Sequence, residues 1–451
     1  MNEIQEKALQ RLGIETLTPM QEAALASCRE LGDVTMLSPT GSGKTVAYLM
    51  PLIERLSELS PKTDFPAAIV VVPSRELALQ IESVFKQMGT PWKAMAVYGG
   101  RPAMDEHRTL RDVRPELIVG TPGRLNDHLQ KGNIDASAVR TLVMDEFDKC
   151  LELGFHDEMK TLLGRLPQVE RRWFFSATDL DEWPEFVRSE RCIHLNYLGG
   201  ESRVKSYIVR SPEKDKLDTL YRLLCALDGS QAIVFVGYRE SAERIGTFLR
   251  GKKLIHAIYH GGLDQELRER ALYKFRNGSV NVLVSTDLAS RGLDIPEVQH
   301  IIHYHLPTNA DADTHRKGRT ARWDATGNSY YIVGPEESLP VASPEGGSVK
   351  YSFPSGEEIG DAILRRIPRR PVPPQWETLY IGKGKKDKVN RVDIAGFLYK
   401  KGNLTSDDVG LIDVLDHYAY AAVRRTKVRQ LLTLVSGEKI KGMKTIIEVA
   451  R

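Results

Sequence analysis

The stretch LSPTGSGKTVAYLM, residues 37–50, constrains the fold more than any other part of this 451-residue chain. Gly41 and Gly43 let the backbone turn so that successive N–H groups face one anion, Lys44 adds a point charge, and Thr45 offers a hydroxyl to a metal ion. Ser38, Thr40 and Ser42 complete the loop, with Ser38 standing where the strict phosphate-loop pattern has glycine. Apolar residues after Thr45 continue as a helix whose N-terminal dipole adds to the attraction. Such a loop joins a strand to a helix, so a parallel sheet must lie behind it.

The rest of the sequence supplies that sheet. Short β-branched runs recur at AAIVVVP (67–73), ELIVGTP (116–122), RTLVMDE (140–146) and RWFFSAT (172–178), separated by helical patterns such as RELALQIESVFKQM (75–88). This alternation indicates parallel strands with helices on both faces. It restarts with QAIVFV (231–236), KLIHAIYH (253–260), VNVLVST (280–286), HIIHYHLP (300–307) and NSYYIV (328–333). Two α/β domains are expected, 1–200 and 216–366, with 201–215 as linker because helical periodicity lapses there. RRIPRRPVPPQW (365–376) reads as an extended connection, so 367–375 is assigned as a Pro-rich linker. Beyond it, 376–451 orders as β-α-β-β-α-β, the layout of RNA-recognition modules.

Asp145, Glu146 and Asp148 crowd three carboxylates into VMDEFDKC (143–150), directly after an apolar strand. Alone, such a cluster is ordinary solvated surface. With a phosphate loop upstream it becomes the other half of a metal–nucleotide site. A phosphate loop needs a carboxylate at a strand end to hold Mg²⁺ against the phosphates, so the metal residues are Thr45 and Asp145. Glu146 is placed to accept a proton from the attacking water, and Asp148 to orient its neighbours.

Composition narrows the partners. Residues 376–451 hold 15 Lys and Arg against 9 Asp and Glu, a net of +6, whereas the whole chain is only +3. A basic tail on a near-neutral body points to an anionic partner. Cys28, Cys150, Cys192 and Cys225 are widely spaced without a C-x-x-C, which argues against a zinc site or disulfide framework and fits a reducing, cytoplasmic setting. No run approaches the ~20 apolar residues of a membrane span, and MNEIQEKALQ lacks a signal-peptide pattern.

From about residue 1 to 365 the chain resembles a DEAD-box RNA helicase, with the family's motifs in their usual order. TPMQ (18–21) resembles the Q motif, SPTGSGKT (38–45) motif I, and DEFD (145–148) the DEAD box. PSREL (73–77), GG (99–100) and TPGR (121–124) resemble first-domain RNA-backbone motifs, and SAT (176–178) motif III. VFVGYRESAE (234–243), STDLASRGLDI (285–295) and HRKGRTAR (315–322) resemble motifs IV, V and VI. The resemblance implies two tandem RecA-like P-loop domains that close on ATP and RNA. It implies Gln21 on the adenine edge, Asp294 on the ribose, Arg319 and Arg322 at the γ-phosphate, and Ser176 and Thr178 coupling to Asp148. RNA contacts are implied at Arg75, Gly100, Thr121, Arg124 and Arg291.

Three positions depart from the family pattern. Ile4 stands where an aromatic is usual, leaving Gln21 more of the adenine selectivity. Phe147 replaces a small alanine, so its ring must find space, with a shift of the Asp148–Ser176 contact expected. Ala321 replaces glycine and requires ordinary φ. No charged catalytic group is lost, so an active ATPase is expected.

YIGKGKKDKVNRVDIAGFL (380–398) resembles the C-terminal RNA-binding domain of the DbpA group. Lys383, Lys385, Lys386, Lys388 and Arg391 cluster after its first strand, where phosphate contact is expected. DHYAYAAV (416–423) half-matches an aromatic RNA-recognition strand. On that reading Tyr418 and Tyr420 share a sheet face and stack bases; the competing reading packs them into the core.

The expectation is therefore a monomeric, cytoplasmic, ATP- and Mg²⁺-dependent RNA helicase that opens short structured RNA. The resemblance adds a ribosomal RNA hairpin as target, in large-subunit biogenesis. Three alternatives remain: a cold-shock or RNA-decay helicase of broader specificity, an RNA-binding scaffold with weak ATPase, and a DNA translocase. The last is disfavoured by the Q motif and the RNA-type tail.

Overall fold

A computed structural model describes residues 1–59, 66–100, 103–180, 182–189, 191–198, 204–290, 298–320, 327–337, 357–358 and 369–450. By internal contacts the chain divides into two units, the first running to Ser202 and the second beginning at Arg203.

The first unit is a seven-stranded parallel sheet, β1 (Gly32–Leu37), β2 (Ala68–Val71), β3 (Ala94–Val97), β4 (Leu117–Gly120), β5 (Thr141–Asp145), β6 (Arg171–Ser176) and β7 (Cys192–Asn196). Their order is β3-β4-β2-β5-β6-β1-β7. The β-branched runs lie in β2, β4 and β5, whose residues are all buried, as strands covered by helices on both faces require. The helices in chain order are α1 (Glu3–Arg11), α2 (Pro19–Ser27), α3 (Lys44–Glu58), α4 (Arg75–Met88), α5 (Ala103–Val113), α6 (Pro122–Gln130), α7 (Phe147–Glu152) and α8 (His156–Gly164). Helix α4 begins on a Ser74 cap whose hydroxyl accepts from Leu77 N, and it ends on Gly89 at φ 62°, so side chain and glycine set its two ends. Ile4 packs against the core formed by α1 to α4 and the strands beneath them.

The second unit holds another parallel sheet, β8 (Val204–Arg210), β9 (Ala232–Phe235), β10 (Ala257–Tyr259), β11 (Val282–Ser285), β12 (His300–His303), β13 (Gly327–Val333) and β14 (Glu357–Glu358), in the order β10-β11-β9-β12-β13-β8-β14. Its helices are α9 (Leu217–Ala226), α10 (Arg239–Gly251), α11 (Gln265–Arg276) and α12 (Ala310–Lys317). Residues 204–210 were expected in the linker. They instead form β8, in register with β13 from Val204↔Gly327 to Arg210↔Val333. VKSYIVR loses helical period because it is a strand, and its partner lies far along the chain.

The same unit contains the third domain. Here β15 (Trp376–Ile381), α13 (Arg391–Lys400), β16 (Val409–Val414), β17 (Ala419–Arg424), α14 (Arg425–Leu434) and β20 (Ile447–Val449) give the expected β-α-β-β-α-β order, with a small hairpin of β18 (Lys439–Ile440) and β19 (Met443–Lys444) inserted. The antiparallel sheet is ordered β16-β17-β15-β20. This domain does not hang on its linker. One face of its sheet is packed on α11 of the second α/β domain. Tyr273 stacks on Tyr420 at 5.0 Å and donates to the carbonyls of Leu411 and Tyr420. Lys274 donates to Ala450 O, Asn277 to Thr378 Oγ1, and the Arg276 guanidinium meets Asp413.

Candidate active site and RNA-contact residues

The carboxyl ends of the first sheet's strands carry the nucleotide residues, the usual ligand edge of a parallel sheet. Strand β1 delivers the phosphate loop, and Ser38 N continues the ladder by donating to Ser176 O at 3.0 Å. Gly41 and Gly43 take φ of 83° and 90°, conformations open to glycine. Gly43 is also required by space, since a Cβ there would lie 2.5 Å from Gln21 Nε2. Lys44, 9% exposed, folds back over its own loop and donates to Ser38 O at 2.7 Å and Pro39 O at 2.9 Å. Ser38 and Ser42 hydroxyls lie 3.0 Å apart.

Gln21 is placed by local sequence. Thr18 caps α2, its hydroxyl accepting from Gln21 N, and the Gln21 amide oxygen accepts from Thr18 N. The remaining end, Nε2, donates to Gly43 O at 3.2 Å. The Q-motif glutamine therefore braces the phosphate loop.

Asp145 closes β5, separated from the phosphate-loop strand by β6. One oxygen accepts from Glu146 N at 2.9 Å and the other from the Tyr48 hydroxyl at 3.0 Å. Burial raises its pKa above the ordinary carboxylate range, opposed chiefly by the Lys44 charge. An anion held at a cost is one that a divalent cation relieves. Among the described residues no group of three or more His, Cys, Asp or Glu forms a metal cage. Mg²⁺ needs none, since one or two carboxylates, waters and substrate phosphates complete its shell, and the Asp145–Thr45 pair fits that pattern. Tyr48 carries no motif signal. Its position one helical turn beyond Lys44 places it on the same face of α3.

Glu146 caps α7 in the left-handed region at φ 49°, a conformation that costs a non-glycine residue energy and is concentrated at functional sites. Asp148 accepts from Thr178 Oγ1 at 2.8 Å, while the Ser176 hydroxyl turns to Thr178 O. The expected Asp148–Ser176 contact is thus carried by Thr178, with Ser176 supporting it. Phe147 finds its space away from this contact, fully buried, stacked on Trp183 at 5.4 Å and edge-on to Phe174 at 5.2 Å. Phe147→Ala is expected to leave a cavity and cost about 3–5 kcal/mol, read as a lowered urea midpoint; an unchanged midpoint would show the slot collapses freely.

Three adjacent strands, β3, β4 and β2, bring together the first-domain RNA-motif residues. Arg75 opens α4, Thr121 caps α6, and Gly100 at φ 95° sits so close to Arg75 that a Cβ would be 3.0 Å from Nη1. Arg124 Nε lies 3.5 Å from Glu106, which is 5% exposed and also meets His128 Nε2 at 3.1 Å. Glu106 and His128 were not foreseen as a brace for Arg124, because a buried acid and histidine carry no motif.

In the second unit Arg319 is buried beside α12, its carbonyl accepting from Val298 N. Arg316 grips Asp287 with two hydrogen bonds of 2.5 and 3.0 Å and donates to His305 O, fixing the helix that precedes Arg319. Arg291, Asp294, Ala321 and Arg322 lie outside the described residues.

In the third domain Lys385, Lys386, Lys388 and Arg391 are exposed on the loop after β15 and the start of α13. Tyr420 is not available for bases: it is 1% exposed under Tyr273. The Tyr418 hydroxyl donates to Glu269 of α11 at 3.1 Å, and burial beside that carboxylate raises its pKa. The stacking face expected from DHYAYAAV is the face that docks.

Comparison with known proteins agrees with this geometry. The DEAD/DEAH box helicase family matches residues 18–183, the helicase conserved C-terminal domain 215–324, and the DbpA RNA binding domain 378–449. The ATP-dependent RNA helicase DbpA of Escherichia coli (strain K12) is 32% identical over 96% of this chain and 94% of its own length. The protein of that name from Bacillus subtilis (strain 168) is 28% identical over 97% and 95%. Among solved structures, S. cerevisiae Dbp5 bound to RNA and ADP BeF3 aligns with a TM-score of 0.66 and 27% identity, over 74% of this chain and 88% of that one. Phosphate loop, strand-end carboxylates, second α/β sheet and basic third domain thus fall together, and the chain belongs to the DEAD-box ATP-dependent RNA helicases, within the group carrying a DbpA RNA-binding domain.

Proposed function

We propose that this helicase opens short duplexes in ribosomal RNA during assembly of the large subunit, as a monomer in the cytoplasm. ATP lies along the phosphate loop, where Lys44 exchanges its loop carbonyls for phosphate oxygens and Gln21 meets the adenine edge. Thr45 and Asp145 would hold Mg²⁺, which when bound would supply positive charge against the phosphates. Glu146 takes the proton of the attacking water. Arg319, Arg322 and Asp294 complete the nucleotide contacts from the second α/β domain, and Arg75, Gly100, Thr121, Arg124 and Arg291 track the RNA backbone. Asp148, Thr178 and Ser176 relay nucleotide state to that track.

The observation that carries the ribosomal reading is the third domain, matched to the DbpA RNA binding domain and anchored rather than trailing. The shared domain arrangement with two DbpA proteins over nearly full length supports it. No helix among the described residues is long and apolar enough to cross a membrane. The test is ATP turnover by the full chain against a panel of ribosomal RNA fragments. Stimulation confined to one large-subunit fragment is expected; equal stimulation by every RNA would assign the protein to the broad-specificity helicases.

A further inference from the structure

Both oxygens of the Asp145 carboxylate are engaged, and by different elements. Oδ1 accepts from the backbone N–H of Glu146 at 2.9 Å, and Oδ2 accepts from the Tyr48 hydroxyl at 3.0 Å. A carboxylate held at both ends cannot turn about its terminal bond, so its remaining lone pairs keep fixed directions. The backbone donor belongs to the strand end itself. The phenol comes from α3, the helix that the phosphate loop opens.

Tyr48 stands three residues after Thr45 and four after Lys44, spacings that set all three on one side of α3. The Thr45 hydroxyl hydrogen-bonds to the same phenol oxygen. One O–H group therefore joins the two residues assigned to Mg²⁺. The ring that carries it is fully buried and meets Phe175 edge-on at 5.1 Å. Phe175 is in turn the β6 residue in register with Asp145, so the phenol is fixed against the strand pair that presents the carboxylate. Packing alone would be satisfied by a phenyl ring. A buried hydroxyl is costly unless it is bonded, and here its bonds run to the metal residues.

The two common divalent cations differ in what they ask of such a site. Mg²⁺ is small and requires nearly ideal octahedral placement of its oxygens, whereas Ca²⁺ accepts longer and more varied arrangements. A rigid pair of ligands favours the first ion, and a loose pair relaxes the choice.

We infer that Tyr48 is a positioning residue that makes the nucleotide site select Mg²⁺ over larger divalent cations, by locking the Asp145 carboxylate and the Thr45 hydroxyl into one mutual placement. The inference rests on the reading of Thr45 and Asp145 as the metal residues.

The test uses the full chain and a methylanthraniloyl-labelled, non-hydrolysable ATP analogue, whose fluorescence reports binding without turnover. The analogue is kept well below the protein concentration, and Mg²⁺ or Ca²⁺ is titrated in after trace metal has been chelated. Tyr48→Phe keeps the ring against Phe175, so the protein folds. It is expected to raise the Mg²⁺ midpoint about 10- to 100-fold, the usual cost of losing a group that orients a metal ligand. The Ca²⁺ midpoint moves much less, and affinity for the analogue without metal is kept. An unchanged Mg²⁺ midpoint overturns the inference. So does an equal rise for both cations, or an equal fall in metal-free affinity, either of which reduces Tyr48 to general support of the pocket. Asp145→Asn separates this result from the reading beneath it. Indifference of the Mg²⁺ midpoint to Asp145→Asn removes the metal assignment itself, whereas sensitivity to Asp145→Asn with indifference to Tyr48→Phe leaves the metal at Asp145 and strikes Tyr48 alone.

Discussion

Glu146→Gln is expected to hold ATP and RNA together and hydrolyse almost nothing, with turnover about 10²–10⁴-fold lower, the usual worth of a positioned general base. The substitution preserves volume and hydrogen-bonding reach, and glutamine tolerates the φ of 49° as well as glutamate does. What it removes is the capacity to accept a proton. Asp145, with its Tyr48 and backbone partners, stays in place, so nucleotide binding survives. Anisotropy of labelled RNA with ATP should therefore rise and persist, whereas the wild-type signal decays as ATP is consumed. Turnover within tenfold of wild type would take the base away from Glu146.

Tyr273→Ala is expected to release the third domain from α11. Tyr273 is 4% exposed, its ring covers Tyr420, and its hydroxyl serves two carbonyls of the neighbouring domain. Deleting a buried aromatic of this size costs about 3–5 kcal/mol; what the interface loses, the extended linker does not restore. Thr378 and Asn277, now 1% and 9% exposed, would meet water. Hydrogen exchange in β15, β17 and α11 should speed up while the sheet core of the second α/β domain keeps its protection, with basal ATP turnover unchanged. Tyr273→Phe retains the ring and should show a smaller effect of the same sign. Protection equal to wild type in the alanine variant would mean that the polar contacts of Lys274, Arg276 and Asn277 suffice.

Much of the nucleotide site was legible because its chemistry is local. A phosphate loop must be written contiguously, as in 38–45, and carboxylates at a strand end follow an apolar run that any reader can find. The βαββαβ order of the third domain was legible for a similar reason, each element having its own periodicity. What escaped is non-local. Strand β8 is recognisable only by its pairing with β13, more than a hundred residues away. Tyr48 and Glu106 act through partners that folding brings to them. Tyr418 and Tyr420 show the hardest case: an aromatic alternation describes a sheet face equally well whether water, bases or another domain covers it. The deciding residue, Tyr273, sits in a helix of ordinary amphipathic pattern.

The anchoring of the third domain through Asn277, Ser279, Thr378 and Arg425 has a geometric corollary. A swinging arm samples many radii, whereas a bolted one has a single reach and a single orientation. For such an enzyme the choice of duplex becomes metrical, set by how many base pairs separate the gripped element from the strand to be parted, and by the turn of the helix between them.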